Sequence, residues 1–150
     1  MKIEVRRAEA NGIHDFKRLV HAFYDEGVDR YGFGLNDEHL ESAYFRWIEG
    51  HIGLFLLKDG EVIGGIAGLL IPYILNLDTF YFHEMFWYVD PEYRAKGWGI
   101  RLLTEAEREA KRRGAKLIMM VHAHSMPQEM DSIYRRLGYR ICETNYIKEL

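Results

Sequence analysis

The sequence predicts a mixed α/β fold: a mostly antiparallel central sheet flanked by helices, in the order β-α-α-β-β-β-α-β-α-β. Three observations carry that expectation. Asp59-Gly60 lies between the apolar runs Leu54–Leu57 and Val62-Ile63, a type I′ hairpin signal because both turn residues tolerate positive φ. Gly97 to Arg113 reads as a helix with Leu102, Leu103, Ala106 and Ala110 on one stripe, closed by Gly114. Lys116 to His122 is a near-continuous apolar run, the pattern of a buried central strand.

The other elements follow in order. Ile3 to Arg6 alternates and reads as a short strand. Asn11 is placed to cap a helix carrying Ile13, Phe16, Leu19, Val20 and Phe23 on one face. Gly27 to Leu35 is a glycine-aromatic loop, and Asn36 or Asp37 opens a second helix with Leu40, Ala43, Tyr44 and Trp47, ending at Gly50. Ile52 to Leu57 and Glu61 to about Leu70 form the hairpin, Pro72 to Asp78 a loop, and Thr79 to Val89 the third strand of the meander. In the helix from Gly97, Glu107 with Lys111 and Glu109 with Arg113 stand at i,i+4 in the favourable orientation. Ser125 to Leu137, with Pro127 in its first turn, reads as a further helix stopped by Gly138, and Tyr139 to Lys148 as a last strand.

Composition bounds the function. At 150 residues, 48% hydrophobic and with 3 prolines, the chain has the size of one domain and is neither disordered nor low in complexity. One cysteine, Cys142, leaves no internal disulfide and no thiolate zinc site; it is expected as a packed thiol. The start lacks the apolar region of a signal peptide, and no run approaches the roughly 18–20 apolar residues of a membrane helix. A cytoplasmic protein is expected. Net charge is −3, which argues against a dedicated nucleic-acid binder. Residues 1–90 carry 15 Asp/Glu against 8 Lys/Arg, and residues 91–150 carry 12 Lys/Arg against 8 Asp/Glu. Such asymmetry suits a cationic ligand on one part and an anionic ligand on the other.

The anion site is read from Val89 to Ile100, which links a strand to a helix N-terminus. Gly97 and Gly99 let the backbone curl close to a ligand, the helix start offers free N–H groups, and Arg94, Lys96 and Arg101 add positive charge. That combination reads as a pyrophosphate cradle. It is not a P-loop, since no G-x-x-x-x-G-K-[ST] occurs. It is not a dinucleotide fingerprint either, since the third glycine position is Leu102.

Arg94-Ala-Lys-Gly97-Trp-Gly99, preceded by V-D-P-x-x-R and followed by a long helix and a buried strand, resembles the R/Q-x-x-G-x-G/A motif of the GNAT superfamily of N-acetyltransferases. Ile133-Tyr134-Arg-Arg-Leu-Gly138-Tyr139 resembles that family's L-Y-x-x-x-G-F/Y signature, and the likeness covers nearly the whole chain. Two departures stand out: Pro127 occupies the place of a frequent family asparagine, and the C-terminus is short for the usual final pair of strands.

The resemblance implies a single GNAT-like acyl-CoA N-acyltransferase domain over residues 1–150, using acetyl-CoA as cosubstrate and no metal. It implies pantetheine pairing along Trp87, Tyr88 and Val89, and phosphates held by Arg94, Ala95, Lys96, Gly97, Trp98, Gly99 and Ile100. Acyl transfer to an amine needs a base for the amine, a donor for the developing oxyanion and a proton for the thiolate. Tyr134 is the expected acid; its unperturbed pKa of about 10 stands beside about 8.5 for a thiol. Glu84 or His83 is the expected base; strand alternation lets only one of them face the cleft, and Glu84 is preferred. His122 and His124 end the buried strand on the cleft side.

The acceptor is expected to be a small-molecule or peptide amine, cationic, meeting Tyr31, Phe33 and Asp29, with Asp25 and Glu26 adding negative charge. Tyr44, Trp47 and Tyr73 are further lining candidates, although aromatics at helical spacing suit a core. A homodimer is compatible with the sequence; a nucleic-acid or membrane partner is not expected. The competing reading is a non-catalytic acyl-CoA-binding module acting through protein contact. A weaker one, acetylation of charged tRNA, runs against the net charge.

Overall fold

The computed structural model describes residues 1–28, 31–123, 127 and 129–150. Among the described residues nine strands and α-helices follow one another: β1 (Ile3–Arg7), α1 (Ile13–Phe23), α2 (Asp37–Gly50), β2 (Ile52–Lys58), β3 (Glu61–Tyr73), β4 (Asn76–Val89), α3 (Trp98–Arg112), β5 (Ala115–Met119) and α4 (Glu129–Arg136). The sheet order is β1-β2-β3-β4-β5, antiparallel throughout except for the parallel β4–β5 pair. The mixed, mostly antiparallel sheet is therefore as the pattern predicted.

Three layers result. On one face Leu102, Leu103, Ala106 and Ala110 of α3 and Tyr134 of α4 pack on Leu54, Leu56, Ile63, Ile66 and Phe82. On the other, Phe16, Leu19 and Val20 of α1 and Tyr44 of α2 pack on Phe55, Leu57, Ala67, Phe86 and Tyr88. Adjacent strand residues thus serve opposite cores, as the pleat demands. Tyr44 is buried, and its hydroxyl donates to the Glu9 carbonyl; Trp47 meets Phe16 edge-on at 5.4 Å. Both belong to this core and not to an acceptor pocket.

Several local readings hold. Asp59 (φ 50°) and Gly60 (φ 89°) form the two-residue turn between β2 and β3. Asn36 Oδ1 accepts from the His39 N–H and caps α2. Others are corrected. Asn11 does not cap α1: it lies within a 3₁₀ turn, Ala10–Gly12, and Gly12 takes the cap position without a side-chain bond. Pro72 to Asp78 is not a loop, because β3 and β4 continue to a tight turn at Ile74-Leu75, with Tyr73 opposite Asn76. β5 ends at Met119 rather than His122, and α4 begins at Glu129; Ser125 lies outside the described residues.

Among the described residues Tyr139 to Lys148 pairs with no strand. Ile141, Tyr146 and Ile147 stay exposed there, as does Cys142, which is not a packed thiol. The alternation in that segment is too broken to give one buried face. The expected i,i+4 pairs of α3 are also replaced. Glu107 accepts from the Tyr139 hydroxyl at 2.6 Å, Glu109 is clamped by Arg112 and Arg7, and Arg113 turns to the Gly50 and His51 carbonyls at the end of α2. Tertiary partners offer these side chains more than an exposed i,i+4 pair, worth about 0.3–0.5 kcal/mol.

Candidate active site

The site forms where β4 and β5 part company. The two strands pair only from Phe80 to His83, against Ala115 to Met119. From Glu84 to Val89, β4 is paired on its β3 side alone among the described residues, which leaves an open edge of backbone N–H and C=O groups. A bulge starts the divergence: Ala67 pairs with Phe86 and Gly68 with Glu84, so Met85 is the extra residue. Gly68 permits it, since a methyl there would collide with the His83 carbonyl and come within 2.7 Å of the Phe82 ring.

Glu84 sits at the apex. It is 5% exposed, and its Oε2 accepts the Val121 N–H at 3.1 Å, so a side chain substitutes for the backbone ladder just past the end of β5. Burial pushes its carboxyl up to about 7, against the pull of the Val121 N–H. The same residue is held from its other side: the Tyr134 hydroxyl donates to the Val121 carbonyl at 3.2 Å. Burial, then the charge on Glu84, raises the Tyr134 phenol well above the ordinary tyrosine range. Tyr134 also packs against Trp87, His122 and Tyr139, with ring centroids 5.5 to 6.3 Å apart.

His83 turns to the opposite face, beside Tyr81 at 6.4 Å. Of the two expected bases, only Glu84 therefore shares a face with Tyr134. His122 lies at the Tyr134 ring edge; His124 is outside the described residues.

The cradle lies at the far end of the open edge. Ala95 (φ 59°) and Gly97 (φ 78°) are both left-handed, a cost that a non-glycine residue bears only in a special turn. They flank Lys96 and lead into α3, whose cap position Gly97 makes no side-chain bond. The first N–H groups of α3, at Trp98, Gly99 and Ile100, have no intrahelical acceptor and point at the same space. Gly99 lies over Trp87 and Val89; a methyl on it would stand 3.7 Å from each. The Trp87 Nε1 is buried without a hydrogen-bond partner among the described residues. These features fit a phosphate group at α3 and an amide-bearing chain along β4.

Arg94 does not enter the cradle here. Its Nε donates to the Val89 carbonyl at 2.7 Å, its Nη2 to Glu26 at 2.6 Å, and the guanidinium covers the Tyr88 ring. Glu26 is therefore paired and is not an uncommitted acidic residue. It lies in an irregular turn, Tyr24–Val28, broken by Gly27 at φ 89°. Beyond that turn Tyr31 and Phe33 are exposed, their rings 5.6 Å apart. Tyr73 is half-exposed at the β3–β4 turn. Asp29 lies outside the described residues.

A polar cleft of about 250 Å³ lies at the other end of α3, lined by Arg7, His51, Glu109, Arg112 and Arg113. Its arginines are taken by Glu109 and the carbonyls ending α2. Among the described residues no three His, Cys, Asp or Glu gather for a metal, and no helix is long and apolar enough to cross a membrane.

Three of these features were not foreseen from the sequence: the Val121 peptide between Glu84 and Tyr134, the Glu26–Arg94 pair, and Lys58, whose Nζ lies 5.0 Å from the Tyr93 ring. Each depends on residues brought together from distant positions. No local motif marks them.

Comparison with known proteins bears on the fold and the family. The chain is 26% identical over 140 residues to an uncharacterised N-acetyltransferase of Methanocaldococcus jannaschii, an alignment covering 90% of this chain and 59% of that protein. The chain thus spans about three-fifths of that relative's length. Its fold matches a ribosomal-protein-alanine N-acetyltransferase from Brucella melitensis at a TM-score of 0.81, with 16% identity over the whole of both chains. It also matches the aminoglycoside N-acetyltransferase AAC(6')-Iy in complex with the bisubstrate analogue CoA-S-monomethyl-acetylneamine, at 0.79 and 13% identity, over 100% and 99% of the two chains. Residues 18–139 match the model of the acetyltransferase (GNAT) family. The chain belongs to that family.

Proposed function

We propose that the protein transfers the acetyl group of acetyl-CoA to a cationic primary amine, with Glu84 as general base and Tyr134 as proton-bearing donor to the departing sulfur. The observation that carries this reading is Glu84 at the β4–β5 divergence: a buried carboxyl pushed up to about 7, joined to the Tyr134 hydroxyl through the backbone N–H and carbonyl of Val121. A base poised near the working pH is half ionised there and still strong enough to take a proton from an ammonium through water.

Bound acetyl-CoA supplies an activated thioester. The chain's own residues do the rest. The left-handed turn at Ala95 and Gly97 and the first N–H groups of α3 hold its phosphates; the open edge of β4 at Trp87, Tyr88 and Val89 offers backbone partners to pantetheine and an N–H to the developing oxyanion. Tyr134 holds its proton at neutral pH. A phenol near 10 already lies above a thiol near 8.5, so full transfer to a thiolate runs uphill, and burial steepens the climb. Tyr134 therefore acts first as a hydrogen-bond donor to the sulfur as charge grows there.

The acceptor side is drawn from the other part of the chain. The exposed Tyr31 and Phe33 rings and the exposed Asp25 support a cation, and an amine is a cation before it reacts. The structural neighbour complexed with an acetylneamine analogue lends support, since an aminoglycoside is a polyamine. The test is release of free thiol from acetyl-CoA with a panel of cationic, neutral and acidic amines, in wild type and Glu84→Gln. Turnover confined to cationic amines and lost in the variant is expected. A preferred acceptor without positive charge, or full turnover in Glu84→Gln, would overturn the reading.

A further inference from the structure

One strand edge and one extended segment of this chain both lack a partner among the described residues. Strand β5 closes the sheet: it pairs with β4 alone, so the backbone groups on its outer side have no ladder. Such an edge is a template for another strand, and natural edges are blunted with charge or proline. In β5 the blunting is slight. It carries one charge, Lys116, and no proline, and Leu117 beside it is 67% exposed.

Residues 140–150 are the counterpart. The segment leaves the body at Tyr139, whose hydroxyl donates to Glu107 of α3 at 2.6 Å. From Arg140 to Leu150 every residue is exposed, including Ile141, Tyr146 and Ile147. These are strand-forming side chains, and a segment that needs only water has no use for them. They stand off their own chain although the β5 edge is open, so a partner chain must supply the edge they cover.

Charge sets the register. Among the described residues Lys116 is in no ion pair, and neither is Glu149. With the segment antiparallel and Glu149 opposite Lys116, Ile147 falls beside the partly buried Ile118, Tyr146 beside Met119 and Lys148 beside Leu117. We propose that β5 receives residues 140–150 of a second copy of this chain as an antiparallel sixth strand, and that the exchange is reciprocal. Both copies own both parts, so a two-fold dimer gives and receives one segment each and leaves neither β5 edge open.

Sedimentation equilibrium of the full chain tests this without cofactor or acceptor. Wild type is expected at twice the 17.7 kDa of one chain. Tyr146→Asp on the segment and Leu117→Lys on the strand, which sets a like charge against Lys148, should each raise the dimer dissociation constant at least about a hundredfold, because a two-fold dimer meets each charge twice. Both side chains are exposed in the single chain, so both variants should keep the wild-type circular dichroism. Met119→Cys with Tyr146→Cys, in a Cys142→Ser background, should oxidise to a covalent dimer. A monomeric wild type, or a dimer that neither charge weakens, would overturn the proposal. So would a cysteine pair that forms no bridge, or one that bridges within a single chain and thereby returns the segment to its own β5.

Discussion

Arg94 and Glu26 form an ion pair at 2.6 Å that ties the turn before α3 to the segment leading into the glycine-aromatic loop. Their side chains are 42% and 40% exposed, so the pair is a weak link, worth about 0.2–1 kcal/mol. If Arg94 serves the phosphates, as proposed, the pair would compete with them for the same guanidinium. Glu26→Gln is therefore expected to tighten CoA binding, by up to about fivefold, at low salt. Arg94→Gln should weaken it, and the double variant should show no further response to position 26. Calorimetry that finds CoA affinity unchanged or lower in Glu26→Gln would show that Glu26 does not compete for Arg94.

Glu84 is expected to make stability depend on pH and, as the proposed base, the rate as well. Its carboxyl is raised to about 7 in the folded protein and returns to about 4.5 on unfolding. Between those values the folded state holds a proton that the unfolded state has lost, so stability falls as pH rises from about 4.5 through 7. Glu84→Gln should lack that decline, becoming the more stable form above pH 7 in thermal melts while losing activity. The wild-type rate should climb along a limb with a midpoint near 7, and the limb should vanish in the variant. A limb that survives in Glu84→Gln assigns the base elsewhere.

Much of this was readable in the sequence, and the rest was not, for a consistent reason. Asp59-Gly60 and the Leu102, Leu103, Ala106, Ala110 stripe are local signals: a turn that needs positive φ and a helix that must bury one face. Gly97 was legible in the same way and is left-handed at φ 78°. Asn11 was misread because Gly12, wedged against Phe55 and the Tyr44 hydroxyl, decides how α1 begins. Glu109 was misread because Arg7 arrives from β1, 102 positions away, to join Arg112. Tyr134 and Glu84 were marked by family likeness, yet the Val121 peptide between them became visible only when β4 and β5 were seen to diverge.

Tyr134→Phe separates chemistry from packing. Phenylalanine keeps the ring contacts with Trp87, His122 and Tyr139 and loses one hydrogen bond to the Val121 carbonyl. Stability should fall by about 1 kcal/mol. Turnover should fall by roughly 10²-fold, with acetyl-CoA affinity nearly constant, because the lost donor matters only as the sulfur departs. Single-turnover rates alongside binding isotherms decide the matter; a variant that turns over at the wild-type rate leaves Tyr134 as a packing residue.

Gly68→Ala tests whether the bulge positions the base. Gly68 stands opposite Glu84 on β3, at the register shift that leaves Met85 unpaired. A methyl there meets the His83 carbonyl and lies 2.7 and 2.8 Å from two atoms of the Phe82 ring. Neither can yield easily, since Phe82 is buried in the core and the His83 backbone is part of the β4–β5 ladder. Strand β4 must move away, carrying Glu84 off the Val121 N–H. Overpacking of this kind costs about 1–3 kcal/mol, so the melting temperature should drop by several degrees. The cradle, at the other end of β4, is untouched by the clash. The variant should thus bind CoA nearly as wild type does and lose turnover, with its apparent midpoint near 7 displaced as the carboxyl leaves its hydrogen bond. A variant that melts lower yet keeps both turnover and midpoint would show that the bulge supports the sheet and does not place Glu84.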